Sequence, residues 1–446
     1  MFDLILLVAI VAALVIKRRT TWPDKAVIAG LLLVVIIHIF TGFPRWQLIS
    51  LYVGVGATIV VVVQSAPKRI VLQSSVIGVL SIITLALLWA FPVYPMPKPG
   101  GDYLIGTQTF VLDDLDRDEL YDSEAEYRRF KVQLWYPAET IDGYEQARWI
   151  EDGVEVNRAL TTDWGLPAFI LDHIATYPSS SYINAPIARN QSTYPVVVIS
   201  HGWSSLRTLH TDFAEELASQ GYIVIGIEHT YGSLATRFSE TDIEYLNRAA
   251  LPRRSETPNY LEFANKLVET YAADIVFSLD FISELNDRNG FFQGKFNLAD
   301  ISAIGHSTGG GAAVKAAMDD ERINRVIGYD AWVEPILQDD LDEGLDIPVL
   351  YIRSEAWQTG ENNGYLIPLI EKSSQSTLYQ IEGTTHYDFS MVYMFSPLTP
   401  FLGVTGSLDG EYLNQMLETK MLQFLSNPDP NQFISSPWEE LQLILN

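Results

Sequence analysis

Ser307 lies in Gly305-His306-Ser307-Thr308-Gly309, with Gly310 and Gly311 directly behind, and this run has the residue types for covalent chemistry. A serine hydroxyl is a weak nucleophile until a base takes its proton and backbone donors stabilise the oxyanion that its attack creates. The G-x-S-x-G pattern meets the steric demand, because it places the serine on a strand-to-helix turn too tight for side chains at Gly305 and Gly309. The flanks agree, with an apolar run at 301–304 and small residues over 310–318. The chain has seven histidines, and His386 is the only one beyond Ser307. Such elbows carry nucleophile, acid and histidine in that order along the chain, which makes His386 the expected base.

The acid should follow a strand between the two. Asp330, in Gly328-Tyr-Asp-Ala-Trp332, fits as the acceptor that orients the His386 imidazole. Glu355, at the end of the next apolar run, is the alternative acid. An oxyanion hole needs two amides, and the residue after the nucleophile, Thr308, supplies one. The second is expected from Trp203, in Ser200-His-Gly-Trp-Ser204, where Gly202 lets the backbone approach the serine. His201, His229 and His306 read as packing or hydrogen-bonding residues. They lack metal-ligand spacing such as H-E-x-x-H, so neither metal nor cofactor is expected. The absence of cysteine removes thiolate metal sites, disulfides and cysteine nucleophiles.

The elements that must hold these residues are legible as short apolar runs at 195–200, 222–228, 301–304, 325–329, 348–352 and 377–381, preceded by an alternating run at 130–136. Runs without alternation suit strands buried on both faces of a parallel sheet. Helical patterns at 208–219, 262–285, 310–318 and 410–426 separate several of them. Strands alternating with helices in this way predict a doubly wound, mostly parallel α/β domain over residues 130–446, led into by residues 96–129. Residues 231–262 carry no strand pattern, and a long insertion after a strand is read either as a lid over the site or as an ordinary surface excursion.

The first 95 residues are a different material. Residues 1–100 hold eight Lys and Arg against Asp3 and Asp24, whereas the remainder holds 21 basic against 53 acidic residues. Four apolar runs, Phe2–Ile16, Ala26–Phe40, Leu48–Val63 and Ile70–Tyr94, predict a four-helix transmembrane region in contact with the lipid bilayer. Lys17, Arg18, Arg19 and Lys25 in the first connection and Lys68 and Arg69 in the third keep those loops cytoplasmic, which puts both termini and the acidic domain on the outer face of the cell membrane. His38, inside the second run, is expected to bond between helices. So acidic a domain repels nucleic acid, and no nucleic-acid partner is expected.

Tyr103-Leu-Ile-Gly-Thr107, Tyr194–Gly202, Ile227-Glu-His229, Gly305–Gly310, Asp330-Ala-Trp332, Ser354-Glu355 and Gly383-Thr-Thr-His386 together resemble the platelet-activating factor acetylhydrolases of the plasma and intracellular type II kind and their bacterial relatives, over roughly residues 100–425. The resemblance implies an α/β-hydrolase fold and calcium-independent hydrolysis of short or oxidised sn-2 acyl chains on phospholipids, or of simpler short-acyl esters. It favours Asp330 over Glu355. Trp203 and Thr308 depart from the family's usual residues at their positions, and Trp203 narrows the expected acyl pocket. Elbows of the G-H-S-x-G-G-G type also occur in lipases and polyester hydrolases, so a general carboxylesterase is the second reading. A non-catalytic membrane receptor on a hydrolase scaffold is the third, and it has no use for an intact serine, histidine and acid.

Overall fold

The computed structural model describes residues 2–19, 22–41, 45–64, 67–427 and 438–445. The four apolar runs form helices α1 (Phe2–Arg19), α2 (Asp24–Thr41), α3 (Ile49–Gln64) and α4 (Pro67–Ala90). They meet through a small apolar cluster that includes Leu6, Ile10, Leu31, Leu51, Val55 and Ile77. Large apolar side chains such as Val8, Leu33, Val53 and Ile82 point outward instead, more than half exposed. His38 Nδ1 and the Tyr52 hydroxyl lie 3.0 Å apart, joining α2 to α3 as the sequence predicts. Among the described residues one helical stretch, Trp46–Gln64, is long and apolar enough to cross a membrane, while Ile5–Ile16 and Ser74–Ala90 are shorter. The expectation of four spans is therefore met in helix number, while among the described residues one stretch has the length and composition of a span. The side chains of Lys17, Arg18, Arg19, Lys68 and Arg69, on which the orientation argument rests, lie outside the described residues.

The end of α4 is seated on the domain that follows. The Ser396 hydroxyl donates to the Ala90 carbonyl across 2.5 Å, Trp46 Nε1 donates to the Ile170 carbonyl across 3.0 Å, and the Trp46 ring stands edge-on to Phe91 and Phe169.

The sheet begins with β1 (Leu104–Asp114) and β2 (Arg128–Ala138), an antiparallel pair. The domain thus starts inside the stretch read as a lead-in. β3 (Gln146–Arg148), α5 (Val154–Asp163) and β4 (Pro178–Ile183) follow, in a region where no element was expected. Then come β5 (Tyr194–Ser200), α6 (Thr211–Ser219) and β6 (Ile223–Glu228). Residues 231–262 contain a two-stranded hairpin, β7 (Ala235–Arg237) and β8 (Ile243–Tyr245), where the sequence pattern showed no strands. Three-residue strands are too short to display an alternation. α7 (Tyr260–Asp287), β9 (Phe296–His306), α8 (Thr308–Asp319), β10 (Ile323–Tyr329), α9 (Gln338–Glu343), β11 (Val349–Ser354), α10 (Asn363–Lys372), β12 (Ser376–Ile381), α11 (Gly410–Ser426) and β13 (Leu441–Leu445) complete the chain.

The strand order is β13-β12-β11-β10-β9-β5-β6-β2-β1-β4-β3, and the run from β12 to β6 is parallel throughout. These are the strands whose apolar runs do not alternate, because both faces are covered. On one face α7 and α8 press Leu267, Val268, Ile275, Ala312 and Val314 onto the sheet. On the other, α6 and α11 contribute Phe213, Leu217, Leu413 and Met416. From β5 the chain goes to β6 on one side and later to β9 on the other. The order reverses there, and in open parallel sheets that switch point is where ligands bind, beyond the carboxyl ends of the strands.

Candidate active site

Ser307 stands at that switch point, between the last residue of β9 and the first of α8, with φ 57° and ψ −120°. A non-glycine residue adopts such angles only where its surroundings enforce them. The enforcement is steric: a Cβ on Gly305 would lie 2.1 Å from the Gly309 carbonyl oxygen, and one on Gly309 would lie 2.2 Å from that of Ser200. Hydrogen bonds complete the turn, with the Ser307 amide donating to Tyr329 and the Ser307 carbonyl accepting from Gly311 and Trp332.

His386 and Asp330 meet as the sequence predicts. His386 Nδ1 donates to Asp330 Oδ2 across 2.9 Å. Asp330 is buried and its carboxylate is further saturated: Oδ1 accepts the Ser354 amide and Oδ2 the Ser354 hydroxyl, each at 2.7 Å. Glu355 is exposed and goes elsewhere, accepting the Gly383 amide at 2.7 Å, so it braces the loop of His386 rather than touching the imidazole. Asp388 closes that loop from inside, accepting the amides of Thr385 and Gly406 at 2.7 Å each.

Three further residues hold His386 and Asp330 in place, and only His306 among them reads from the sequence as a hydrogen-bonding residue. Trp357 lies flat against the imidazole, with ring centroids 4.4 Å apart and planes 3° from parallel. Ser354 contributes the two bonds to Asp330 already described. His306, beside Ser307, donates through Nε2 to the His386 carbonyl across 2.9 Å. Burial, followed by the nearness of His386, pushes the His306 imidazole well below its ordinary pKa, so it stays neutral and keeps that tautomer. A serine following a strand next to the acid's strand was the available signal for Ser354. None existed for Trp357, whose position depends on a turn between elements.

Ser307, Thr308, His386, Gly202 and Trp203 line one cleft of about 340 Å³. Thr308 is the first residue of α8, so its amide has no partner inside the helix. Among the described residues, neither that amide nor the Trp203 amide donates a hydrogen bond to another protein group. Gly202 comes so close that a Cβ there would lie 3.0 Å from the Ser307 Cβ. Trp164, Trp203, Trp332 and Trp357 give the cleft an aromatic wall. Leu251, Arg254 and Tyr260, from the end of the 231–262 insertion and the start of α7, also line it, as do Leu160 of α5 and Trp164 beside it. Arg254 is held by two bonds to Glu334, at 2.9 and 2.7 Å.

His201 and His229 are outside the cleft lining and both buried. His229 binds Asp274 through Nδ1 at 2.9 Å and the Ser200 hydroxyl through Nε2 at 2.8 Å, and Asp274 in turn accepts Arg128 at 2.7 Å. Although burial alone would raise it, the Arg128 and Arg117 guanidinium groups hold the Asp274 carboxyl well below the usual carboxylate range. Burial pushes the His229 imidazole down to about 3, so it is neutral.

A parallel sheet with a serine elbow at its switch point, beside a histidine bonded to a buried aspartate, defines an α/β-hydrolase. The chain belongs to the platelet-activating factor acetylhydrolase isoform II family, whose model matches residues 90–441. It is a serine ester hydrolase. Platelet-activating factor acetylhydrolase of Canis lupus familiaris is 24% identical over 315 residues, covering 66% of this chain and 68% of the relative. That of Cavia porcellus is 23% identical over 367 residues, covering 76% and 79%. A solved ferulic acid esterase from Streptomyces cinnamoneus shares the fold, with a TM-score of 0.66 at 22% identity over 79% of this chain and 99% of that one.

Proposed function

We propose that this enzyme hydrolyses short acyl esters, including sn-2 acyl groups of phospholipids, with Ser307 as nucleophile, His386 as general base and Asp330 as its orienting acid. Ser307 Oγ attacks the ester carbonyl carbon while His386 Nε2 takes its proton. The imidazolium that forms keeps Nδ1–H on Asp330, which fixes the ring and stabilises the charge. Trp357, flat against the ring, adds cation–π stabilisation to the charged form. The Trp203 and Thr308 amides hold the oxyanion. Collapse expels the alcohol with the proton from His386, and water deprotonated by His386 then cleaves the acyl-enzyme to release the acid and free Ser307.

The observation that carries this reading is the 2.9 Å bond from His386 to a buried, doubly braced Asp330, in a cleft shared with Ser307. The preference for short chains rests on the size of that cleft, about 340 Å³ and walled by four tryptophans, near the lower end of the roughly 300–1,000 Å³ common for small-molecule sites. The phospholipid preference rests on the family and on the apolar helices joined to the domain. We read α1–α4 as a multi-pass membrane anchor that holds the catalytic domain at the outer face. The outward apolar side chains and the contacts from Ala90 and Trp46 to the domain support this reading.

The test is a chain-length series on the full-length enzyme: p-nitrophenyl acetate, butyrate and octanoate, beside vesicles carrying a phospholipid with an sn-2 acetyl group. Activity should fall with chain length and include the acetylated lipid. Turnover of soluble esters without the lipid would favour a general carboxylesterase, and rising activity toward octanoate would refute the short-acyl assignment.

A further inference from the structure

His201 is fully buried at the carboxyl end of β5, and both its ring nitrogens are committed to backbone. Nδ1 lies 2.7 Å from the Gly202 carbonyl oxygen, and Nε2 accepts the His229 amide across 3.2 Å. A carbonyl can only accept, so Nδ1 carries hydrogen. The Glu228 carboxylate, 3.3 Å from Nε2, is itself held by Arg207 at 2.7 Å. The Gly202–Trp203 peptide is trans, and in a trans peptide the C=O and N–H point to opposite sides. Binding the Gly202 carbonyl inward therefore aims the Trp203 N–H outward, toward the cleft that Trp203 shares with Ser307. This peptide needs a restraint. Residue 202 must be glycine to pass close to Ser307, and glycine leaves the adjoining peptide free to rotate.

We propose that His201 is a positioning residue that latches the Gly202–Trp203 peptide so that the Trp203 amide faces the developing oxyanion. The proposal rests on the assignment of that amide to the oxyanion hole. The latch has a rigid footing. The His229 amide that His201 accepts belongs to a residue clamped by Asp274 and Ser200 and stacked on Tyr271, with ring centroids 3.7 Å apart. A preorganised donor costs no reorientation when charge develops, which is where such amides gain their effect.

The test uses the full-length enzyme and two variants that separate the ring nitrogens. An asparagine side chain places its amide near the position of Nδ1 and retains the donor, whereas glutamine reaches the position of Nε2 and loses it. His201→Gln should lower kcat on p-nitrophenyl acetate on the order of 10²-fold, as loss of one oxyanion donor does, with KM little changed. Its inhibition constant for a trifluoromethyl ketone, which forms a tetrahedral adduct with serine, should rise by a similar factor. His201→Asn should recover most of both. Equal losses in the two variants, or wild-type behaviour in both, would overturn the latch. A wild-type enzyme that neither hydrolyses the ester nor binds the ketone would instead overturn the assignment of the site itself. Should His201→Gln not fold, ¹⁵N shifts of histidine-labelled wild-type protein decide: a His201 ring protonated only at Nε2 contradicts the proposal.

Discussion

His306 Nε2 donates to the His386 carbonyl across 2.9 Å, so the residue preceding Ser307 holds the loop that carries His386. Elbow and histidine loop are 79 residues apart in sequence, from Ser307 to His386. This bond, together with those from Asp388 and Glu355 inside the loop, makes their geometry a property of the fold rather than of a mobile turn. Asp330 performs the same service on the ring side. His386 is thus held both by its backbone and by Nδ1.

Asp330 and Glu355 should separate cleanly. Asp330→Asn keeps the shape but removes the charge and the Nδ1–H acceptor geometry, and kcat should fall on the order of 10³–10⁴-fold with little change in KM. Glu355→Gln can still accept the Gly383 amide and should stay within a few-fold of wild type. Steady-state kinetics on p-nitrophenyl acetate read both. Equal losses would reopen the choice of acid.

That choice was the limit of what the sequence offered. Both carboxylates follow strands of the parallel sheet, β10 and β11, and local spacing treats them alike. The resemblance favours Asp330, and the fold separates the two physically, bringing His386 and Ser354 onto Asp330 and turning Glu355 to the Gly383 amide. Ser307, His386 and the parallel strands were legible because each is announced by a short local pattern. β1 was not, because its residues run between buried and exposed without regular alternation. The Arg128–Asp274 pair was not, because its partners are 146 residues apart and nothing local marks them. Four apolar helices were legible and four form, and among the described residues Trp46–Gln64 has the length and composition of a span.

Asp212 sets a pH dependence on stability. Burial pushes its carboxyl from 3.8 up to about 7. The folded state therefore holds this proton more tightly than the unfolded chain. The stability it contributes is complete below about pH 4 and is lost as pH rises through about 7. A shift of that size corresponds to on the order of 4 kcal/mol. Glu418, pushed up to about 8 by burial and then by Asp212, runs in the same direction. Asp212→Asn mimics the protonated form, so its Tm should match wild type near pH 4 and exceed it by several degrees at pH 8. Thermal unfolding of the full chain at both values checks this, and a Tm difference independent of pH would contradict it.

Topology can be read chemically because the chain has no cysteine. Asn289 is exposed beyond the end of α7. In intact cells, Asn289→Cys should react with a membrane-impermeant maleimide, while the cysteine-free parent gives no signal. Labelling that appears only after lysis would place the catalytic domain on the cytoplasmic side.

Covalent capture tests Ser307 as the nucleophile. The full-length enzyme is treated with a fluorophosphonate, digested, and the modified peptide sequenced by mass spectrometry, beside Ser307→Ala and His386→Ala. The adduct should sit on Ser307, be absent from Ser307→Ala, and form at least 10³-fold more slowly in His386→Ala, in keeping with loss of the general base. An adduct on another serine, or undiminished labelling of Ser307→Ala, would rule out Ser307 as the nucleophile.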